Sequence, residues 1–384
     1  MKKQILGALA VSALVLSGLA AGTAQAAPPA APKPASVAVA GDKVVTPTGD
    51  IVNVLPKPAG VKVDNAQAKT AAKSSGKAYK GMPSTSSGGM STLASCNGVT
   101  GNACFLYNGG RQSGSTMSAS HKKGIAGTIK IGGHQGAMAG ADSYHDLMEV
   151  AVQRAASNPN NQNTIEIGVT VDPIVNKNGT VGTYKPRAFV FSWINGVGQG
   201  YNGGGFVPVT GTSTQVKVGQ TDLTAAANYV YGVWHDDVQN AWWIQFGPVG
   251  DVQWIGFYPD TMWDNAGETF EDQDYVQLFG EIASAYTTPC SDMGLGLIAS
   301  NTGAARFFGT SFLSSTFGST NTTSVNLGTF RSPAVTAEAP YSNTYSEGPA
   351  GNQRSFRLGG PMHLGTGGSA NGNPPAVGVI GNPC

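Results

Sequence analysis

The stretch NQNTIEIGVTVDP, residues 161–173, contains the pattern that decides the fold. β-Branched residues alternate with other residue types across it, and a period of two predicts a strand with one apolar face. The later stretch DYVQLFGEIAS, residues 274–284, repeats the arrangement. Each strand carries one glutamate, Glu166 and Glu281 respectively, although glutamate is depleted in strands. The placement of these two carboxylates therefore needs an explanation.

Many further strand-like runs follow one another from about residue 96, with turn residues between them. They include STQVKVGQ (213–220), NYVYGVWHD (228–236), NAWWIQFG (240–247) and VQWIGFYPD (252–260). One short helix is predicted in DSYHDLMEVAVQRAA, residues 142–156, where Leu147, Val150, Ala151 and Arg154 follow helical spacing. Short strands without alternating helices predict an all-β fold, an antiparallel β-sandwich with one short helix.

A sandwich explains the two glutamates, because one face of each strand fills the core and the other is free to line a groove. The alternating residues from Ile165 to Val171 would then pack inward and leave Glu166 on the open face. In the second strand, Val276 and Leu278 would pack inward and leave Glu281 outward. If the strands are neighbours, both carboxylates lie on one groove.

Composition and the N-terminus indicate a secreted protein that binds neither nucleic acid nor a membrane after processing. The 384 residues are 12% charged with a formal net charge of +1, which gives no electrostatic footprint for a polyanion. Residues 1–26 read as a signal peptide cut after Ala26, with a membrane anchor as the alternative. Residues 27–95, rich in Ala, Pro, Lys and Gly, read as a pro-segment or linker, and residues 96–384 as one catalytic domain.

The four cysteines suggest two disulfide bonds, because an even count in an exported chain favours pairing. Three pairings are open, and the expected one joins Cys96 to Cys104 and Cys290 to Cys384. The chain has no C-x-x-C and no H-E-x-x-H sequence, so no metal site is predicted.

The carboxylates are the strongest candidates for chemistry. No G-x-S-x-G sequence occurs, and His235 with the two aspartates after it reads as a solvated hairpin turn. A carboxylate pair supports either peptide hydrolysis, with one acid and one base, or glycoside hydrolysis. Two structural glutamates on an exposed strand face are the alternative reading. The aromatic residues near Trp243 and Trp254 read mainly as core, with a stacking platform for sugar or proline rings as the alternative.

At these motifs the chain resembles the neprosin domain, a family described as glutamic peptidases that cleave after proline and adopt an antiparallel β-sandwich. The resemblance lies in the order of four stretches: IEIGVTVDP (165–173), KPRAFVFSWINGVGQGYNGGGFV (185–207), NAWWIQFGPVGDVQWIGFYPDTMW (240–263) and YVQLFGEI (275–282). Plant relatives have cysteines beside the Tyr-Asn of the second stretch, and this chain has none. The usual Gly-Gly before the second glutamate is Phe279-Gly280 here.

The resemblance implies a secreted endopeptidase with Glu166 and Glu281 as its catalytic pair. We expect Trp193, Gln245 and Tyr258 to contact the substrate, an extended polypeptide for which a proline-rich sequence is one option. No metal or organic cofactor is implied, and a monomer is expected. Two other functions stay open: a glycan-binding β-sandwich module and a carboxylate-pair glycosidase.

Overall fold

The computed structural model describes residues 43–55, 104–113, 121–132, 143–158, 161–171, 185–210, 215–284, 293, 303–315, 322–325, 327, 342–346 and 355–359. These residues form strands β1 (Lys43–Val45), β2 (Ile51–Val54), β3 (Cys104–Ser113), β4 (Gly124–Lys130), β5 (Ser143–Ala155), β6 (Gln162–Val171), β7 (Arg187–Ile194), β8 (Val197–Gly198), β9 (Val207–Thr210), β10 (Asn228–Asp236), β11 (Ala241–Pro248), β12 (Gln253–Pro259), β13 (Tyr275–Ser284), β14 (Ala305–Leu313), β15 (Thr322–Ser324), β16 (Ser342–Ser346) and β17 (Ser355–Gly359), and helix α1 (Thr261–Asp264).

The strands form two antiparallel sheets, which confirms the predicted all-β sandwich. The larger sheet has the order β1-β2-β9-β12-β11-β10-β4-β14-β17-β16, with β15 paired to β14. The smaller sheet has the order β3-β13-β5-β6-β7-β8. Strands β5, β6 and β7 follow one another along the chain as a meander, whereas β13 comes from much later and inserts between β3 and β5.

One hydrophobic core lies between the two sheets. Ile165, Ile167 and Val169 of β6 belong to the same buried cluster as Trp242 and Ile244 of β11. The period-two pattern of β6 therefore packs its β-branched residues against the other sheet, as predicted. Burying such side chains stabilises the fold by roughly 1.5–3 kcal/mol each relative to leaving them exposed.

The predicted helix at residues 142–156 is wrong, because this segment is the strand β5. Strand β5 pairs with β13 on one side and β6 on the other, and its residues from Asp146 to Gln153 are buried. Apolar side chains therefore occur on both faces, so the alternation that marks a strand is hidden and a helical spacing fits by coincidence. The short helix of the described residues is instead α1, after β12.

The stretch STQVKVGQ was also predicted as a strand, and its described part, residues 215–220, forms none. Gln215 donates its side-chain N–H to the carbonyl oxygens of Val209 and Trp254, at 2.8 and 2.6 Å. Gly219 donates its backbone N–H to Ala188. The segment therefore forms a turn that covers strand ends, and its alternating valines point into the core without ladder pairing.

Residues 43–54 contain β1 and β2, which form a hairpin on the edge of the larger sheet. Strand β2 pairs with β9, with Asn53 opposite Thr210. The side chains of Val44 and Val52 belong to a buried cluster with Trp243, Trp254 and Phe257 on the outer face of the larger sheet. Part of the segment predicted as a pro-segment is thus a structural edge of the sandwich. Among the described residues, no helix is long and apolar enough to cross a membrane.

Candidate active site

The outer face of the smaller sheet carries an unusual set of acidic and aromatic side chains, here called the glutamate face. It is defined by the outward residues of β5, β6, β7 and β13. They are Leu147, Glu149, Ala151, Gln153, Thr164, Glu166, Gly168, Thr170, Phe189, Phe191, Trp193, Gln277, Phe279 and Glu281.

Glu166 lies in the middle of β6, opposite Ala151 of β5 and Phe191 of β7. Its side chain is fully buried, and the indole Nε1 of Trp193 donates a hydrogen bond to Glu166 Oε1 at 2.9 Å. Trp193 sits on the next strand, and its own carbonyl oxygen accepts a hydrogen bond from Trp263 Nε1 of α1 at 3.2 Å. The helix and β7 together position the group that holds Glu166.

Glu281 lies on the same face, on β13, two strands away from β6. It stands opposite Leu147 of β5, and Leu147 stands opposite Thr170 of β6. With strands about 4.8 Å apart and about 3.4 Å per residue, the backbones at Glu166 and Glu281 are about 10 Å apart across the sheet and about 13 Å apart along it. The structure thus places both predicted glutamates on one face, in a staggered relation.

A third glutamate, Glu149 of β5, lies between the two. It stands opposite Phe279 of β13 and Gly168 of β6, one strand and two residues from each of the other glutamates. Its side chain is fully buried. The sequence analysis missed it because the segment was interpreted as a helix; strand parity would have found it.

The loop after β8 packs on part of the glutamate face. The ring of Tyr201 makes edge contacts with Phe189 and Phe191, with centroids 5.4 and 5.2 Å apart. Asn202 then pairs with the backbone of Val190, donating its own N–H to the Val190 carbonyl and accepting the Val190 N–H on Oδ1 at 3.0 Å. Asn202 has a φ of 54°, which asparagine tolerates better than most residues. The Tyr-Asn motif of the sequence therefore anchors this loop.

The three glutamates of the predicted groove are not open to solvent. Glu149, Glu166 and Glu281 each have 0% of their surface exposed. The register places both predicted glutamates on the same face, as strand parity predicted, and their side chains are buried.

The three residues expected to contact substrate are not together. Trp193 touches Glu166, as described above. Tyr258 is fully buried in the core between the sheets, against Phe206 and Trp263, and burial raises its pKa above the ordinary value. Gln245 lies opposite Gly232 and Trp254, on the outer face of the larger sheet. The thickness of the sandwich separates Gln245 from the glutamates.

The predicted hairpin turn after β10 is present, but its histidine is not solvated. The ring of His235 is buried, with Nδ1 2.9 Å from Asp237 Oδ1 and Nε2 3.0 Å from Asp260 Oδ2. Burial disfavours the charged imidazole, but the hydrogen bonds to both aspartates outweigh burial and raise the pKa of His235. Lys123 adds ion pairs to Asp237 and Asp272, at 2.6 and 2.9 Å. This cluster ties β10 to the N-terminal end of α1.

The disulfide prediction lies largely outside the described residues. Cys96, Cys290 and Cys384 are not among them, and of Cys104 only the backbone in β3 is described. The pairing therefore stays a prediction. Within the described ranges, no group of three or more His, Cys, Asp and Glu side chains is arranged to hold a metal ion.

The neprosin family model matches residues 145–361, which is more than half of the chain. The chain belongs to the neprosin family. Neprosin is a peptidase family, so a hydrolase acting on polypeptide is the activity that goes with membership. The neprosin region contains Glu149, Glu166 and Glu281, whereas β1 to β4, which complete both sheets, precede it.

No curated protein matches this neprosin. Among solved structures, the chain is similar to the exolytic PL7 alginate lyase AlyA5 from Zobellia galactanivorans, at 11% identity and a TM-score of 0.26, over 52% of this chain and 69% of that one. It is also similar to the β-porphyranase BpGH16B from Bacteroides plebeius, at 14% identity and a TM-score of 0.17, over 44% of this chain and 53% of that one. Neither similarity bears on the activity of this neprosin.

Proposed function

We propose that this chain is a secreted endopeptidase that hydrolyses peptide bonds, after proline, with Glu166 and Glu281 as its catalytic acids. The observation that carries the proposal is the shared position of the two glutamates. They come from distant parts of the chain, yet both project from the same face of one sheet inside the region of a peptidase family.

The surroundings of Glu166 favour the role of general base. The Trp193 N–H donates to its carboxylate, and a hydrogen bond to the charged form stabilises that form. An ionised Glu166 takes a proton from water while the water oxygen bonds to the scissile carbonyl carbon. Glu281, protonated, polarises the carbonyl and then gives its proton to the leaving nitrogen as the C–N bond breaks. Two acids with opposite protonation states operate together only on the acid side of neutral.

The substrate side of the proposal is an extended polypeptide with proline before the cut bond. The indole of Trp193 supports this, because a flat aromatic ring beside the base offers a packing surface for a proline ring. Tyr258 and Gln245 enter this proposal only as residues that shape the strands behind the site, since neither lies on the glutamate face.

The proposal also includes that the enzyme is inactive until it is processed. Glu166 and Glu281 are fully buried in the chain as it stands, so substrate reaches them only after part of the cover moves. A segment between the signal peptide and the sandwich, cleaved after export, is the simplest means. The docked hairpin of β1 and β2 lies in the larger sheet, whereas the glutamates lie on the smaller one.

The test is cleavage mapping by mass spectrometry on a mixed peptide pool at several pH values after acid treatment. Wild type is compared with Glu166→Gln and Glu281→Gln, which keep shape but not charge. Glu268→Gln is the matched control, because Glu268 is also a buried carboxylate but binds Ser157 and Asn163 at the end of the sheet. We expect cuts after proline on the acid side of neutral, loss in the first two variants and retention in the control.

Three results would contradict the proposal. Wild-type activity in either glutamine variant removes that residue from the mechanism. Hydrolysis that depends on an added metal, or that peaks at alkaline pH, excludes the two-acid chemistry. Binding or cleavage of a glycan with no peptide turnover favours the binding module or the glycosidase instead.

A further inference from the structure

We propose that Glu149 is a third carboxylate of this site, a positioning residue that passes protons between Glu166 and Glu281. The inference rests on the proposed function, and it follows from the strand register rather than from the family motifs. Strands β6 and β13 are not neighbours, because β5 lies between them. Any direct path across the face from one catalytic glutamate to the other crosses β5.

The register places Glu149 at the middle of that path. Glu149 is a diagonal neighbour of Glu166 and also of Glu281, one strand over and two residues along in each case. Diagonal neighbours on one face have Cα atoms about 7–8 Å apart, within reach of long side chains. The two outer glutamates are separated by twice that step. Glu149 is therefore closer in the register to Glu166 and to Glu281 than these two glutamates are to each other.

The residue opposite Glu149 is a glycine, which lets the two strands approach closely. Gly168 of β6 faces Glu149, and a Cβ built there would lie 2.7 Å from Glu149 Cβ and 2.2 Å from the Met148 carbonyl oxygen. Any larger residue at this position would thus collide with β5. Because Gly168 lies next to Glu166 on the glutamate face, its missing side chain lets β5 and β6 approach closely where Glu149 stands one diagonal step from Glu166.

The burial and spacing of the three glutamates favour an arrangement in which they share protons rather than all being ionised. All three glutamates have no exposed surface, and like charges at this spacing out of water do not all ionise together. Other titratable or charged groups also face the array. Those with described side chains are Tyr201, Tyr275 and Arg187, and Arg187 is ion-paired with Asp222 at 2.8 Å. Strands β3 and β5 add Tyr107, Arg111 and His145 at register positions on the same face.

The proton balance of one reaction cycle gives Glu149 its task. After hydrolysis, Glu166 holds the proton taken from water and Glu281 has lost the one given to the leaving nitrogen. Glu149 passes its proton to Glu281 and receives the proton of Glu166, which resets both. Glu149 gains one proton and loses one in each cycle, so it ends unchanged and forms no bond to substrate.

The experiment titrates the glutamate carboxyls of the full chain by carbon-13 NMR, in wild type, Glu149→Gln and the control Glu268→Gln. Signals of Glu166 and Glu281 are assigned by their loss in the corresponding glutamine variants. We expect Glu149→Gln to move the midpoints of both by about one pH unit or more, as for strongly interacting sites. The control is expected to leave them in place. Unchanged midpoints in Glu149→Gln overturn the inference, whether or not the protein is active.

Activity supplies the second measurement. Glu149→Gln is expected to lower kcat by about 100-fold, in the range of a lost proton-transfer group, with little change in KM. Glu149→Asp, which keeps the charge on a shorter arm, is expected to restore part of kcat and the wild-type shape of the pH profile. If Glu149→Gln keeps full activity and an unchanged pH profile, the proton relay is contradicted, but the two-acid peptidase mechanism is not. If the wild type has no peptidase activity but the titration midpoints of Glu166 and Glu281 still respond to Glu149→Gln, the peptidase function is contradicted. The electrostatic coupling of the three glutamates is then supported all the same.

If Glu149→Gln does not fold, the Glu149→Asp variant alone tests the inference. A midpoint shift of Glu166 and Glu281 in the aspartate variant, with circular dichroism like that of wild type, supports the array. An aspartate variant indistinguishable from wild type in both midpoints and pH profile overturns it.

Discussion

The indole N–H of Trp193 determines how Glu166 is held, and replacing Trp193 by Phe tests this at the residue scale. The variant Trp193→Phe keeps an aromatic ring but removes the donor. We expect a loss of about 1.5–3 kcal/mol in the free energy of unfolding, as for a hydrogen bond to a charged group, and a fall in kcat of at least about tenfold. Urea unfolding and peptide turnover measure the two effects.

The matched control is Trp234→Phe on the larger sheet, where Nε1 donates to the Ser314 carbonyl at 2.9 Å. It loses the same kind of donor far from the glutamates. A smaller loss of stability and unchanged turnover are expected. Equal loss of turnover in both variants would show that the Trp193 effect reflects general loosening rather than its bond to Glu166.

The buried His235 gives the protein a pH dependence of stability whose sign follows from two pKa shifts. The pKa of His235 is raised, so its contribution is complete below about pH 6.5 and is lost as pH rises through the folded value. For Asp237, burial opposes the charge but the bonds to His235 and Lys123 outweigh it and lower the pKa, so its contribution is present above about pH 3.9 and is lost as pH falls through the folded value. The cluster is therefore most stabilising between about pH 4 and 6.5.

The variant His235→Gln is expected to lose most stability near pH 5 and least near pH 8. Burial also raises the pKa of Asp260, which acts in the same direction as the shift of His235. Urea midpoints at the two pH values measure the difference. In an Asp237→Asn background, the difference should shrink. A His235→Gln effect equal at both pH values would contradict a charged His235.

Strand β1 offers a test at the scale of one element, because it has a buried and an exposed valine side by side. Val44 is 1% exposed and packs with the tryptophans of the larger sheet, whereas Val45 is 50% exposed. Val44→Ala is expected to lower the unfolding free energy by about 2 kcal/mol, from lost burial and a remaining cavity. Val45→Ala is expected to change it little. Similar values for both would show that the hairpin contributes nothing to global stability.

Strands were predictable wherever one face differs from the other. Strands β6, β10, β11, β12 and β13 all follow runs predicted from alternation and turn residues. Strand β5 was not predictable in this way, because it has neighbouring strands on both sides and is buried on both faces. Some of the strands that bury it are far away in sequence. Local spacing contains no information on such neighbours.

The site was predictable in its face but not in its composition. The alternation of side chains along each strand predicted that Glu166 and Glu281 point away from the core, and the family motifs identified the same two residues. The presence of Glu149 depends on β5 being a strand, and the closure of the face depends on tertiary packing. Gln245 was expected to contact the substrate, and its strand β11 belongs to the other sheet. Assignment of strands to sheets needs long-range pairing, which no short motif encodes.

At the scale of the whole molecule, the β1–β2 hairpin predicts the outcome of limited proteolysis. Its backbone pairs with β9, and the Trp254 Nε1 donates to Thr48 Oγ1 at 3.0 Å. A chain cut between Leu55 and Cys104 is therefore expected to keep its N-terminal fragment during size-exclusion chromatography and to release it in denaturant. The Val44→Asp variant, cut in the same way, should lose the fragment without denaturant. Immediate loss from the wild type would mean that the pairing is too weak to persist.

The order of strands in the smaller sheet also sets when the site comes into being. Strands β5, β6 and β7 are made in succession and pair locally, but β13 must be synthesised before it inserts beside β5. Glu281 follows Glu166 by 115 residues, which at ordinary synthesis rates is a delay of about 6–23 s. Throughout that interval the growing polypeptide holds Glu149 and Glu166 without their partner. Under the proposed function, a ribosome-bound chain therefore lacks one of its two catalytic carboxylates until most of its length exists, a safeguard that topology alone supplies.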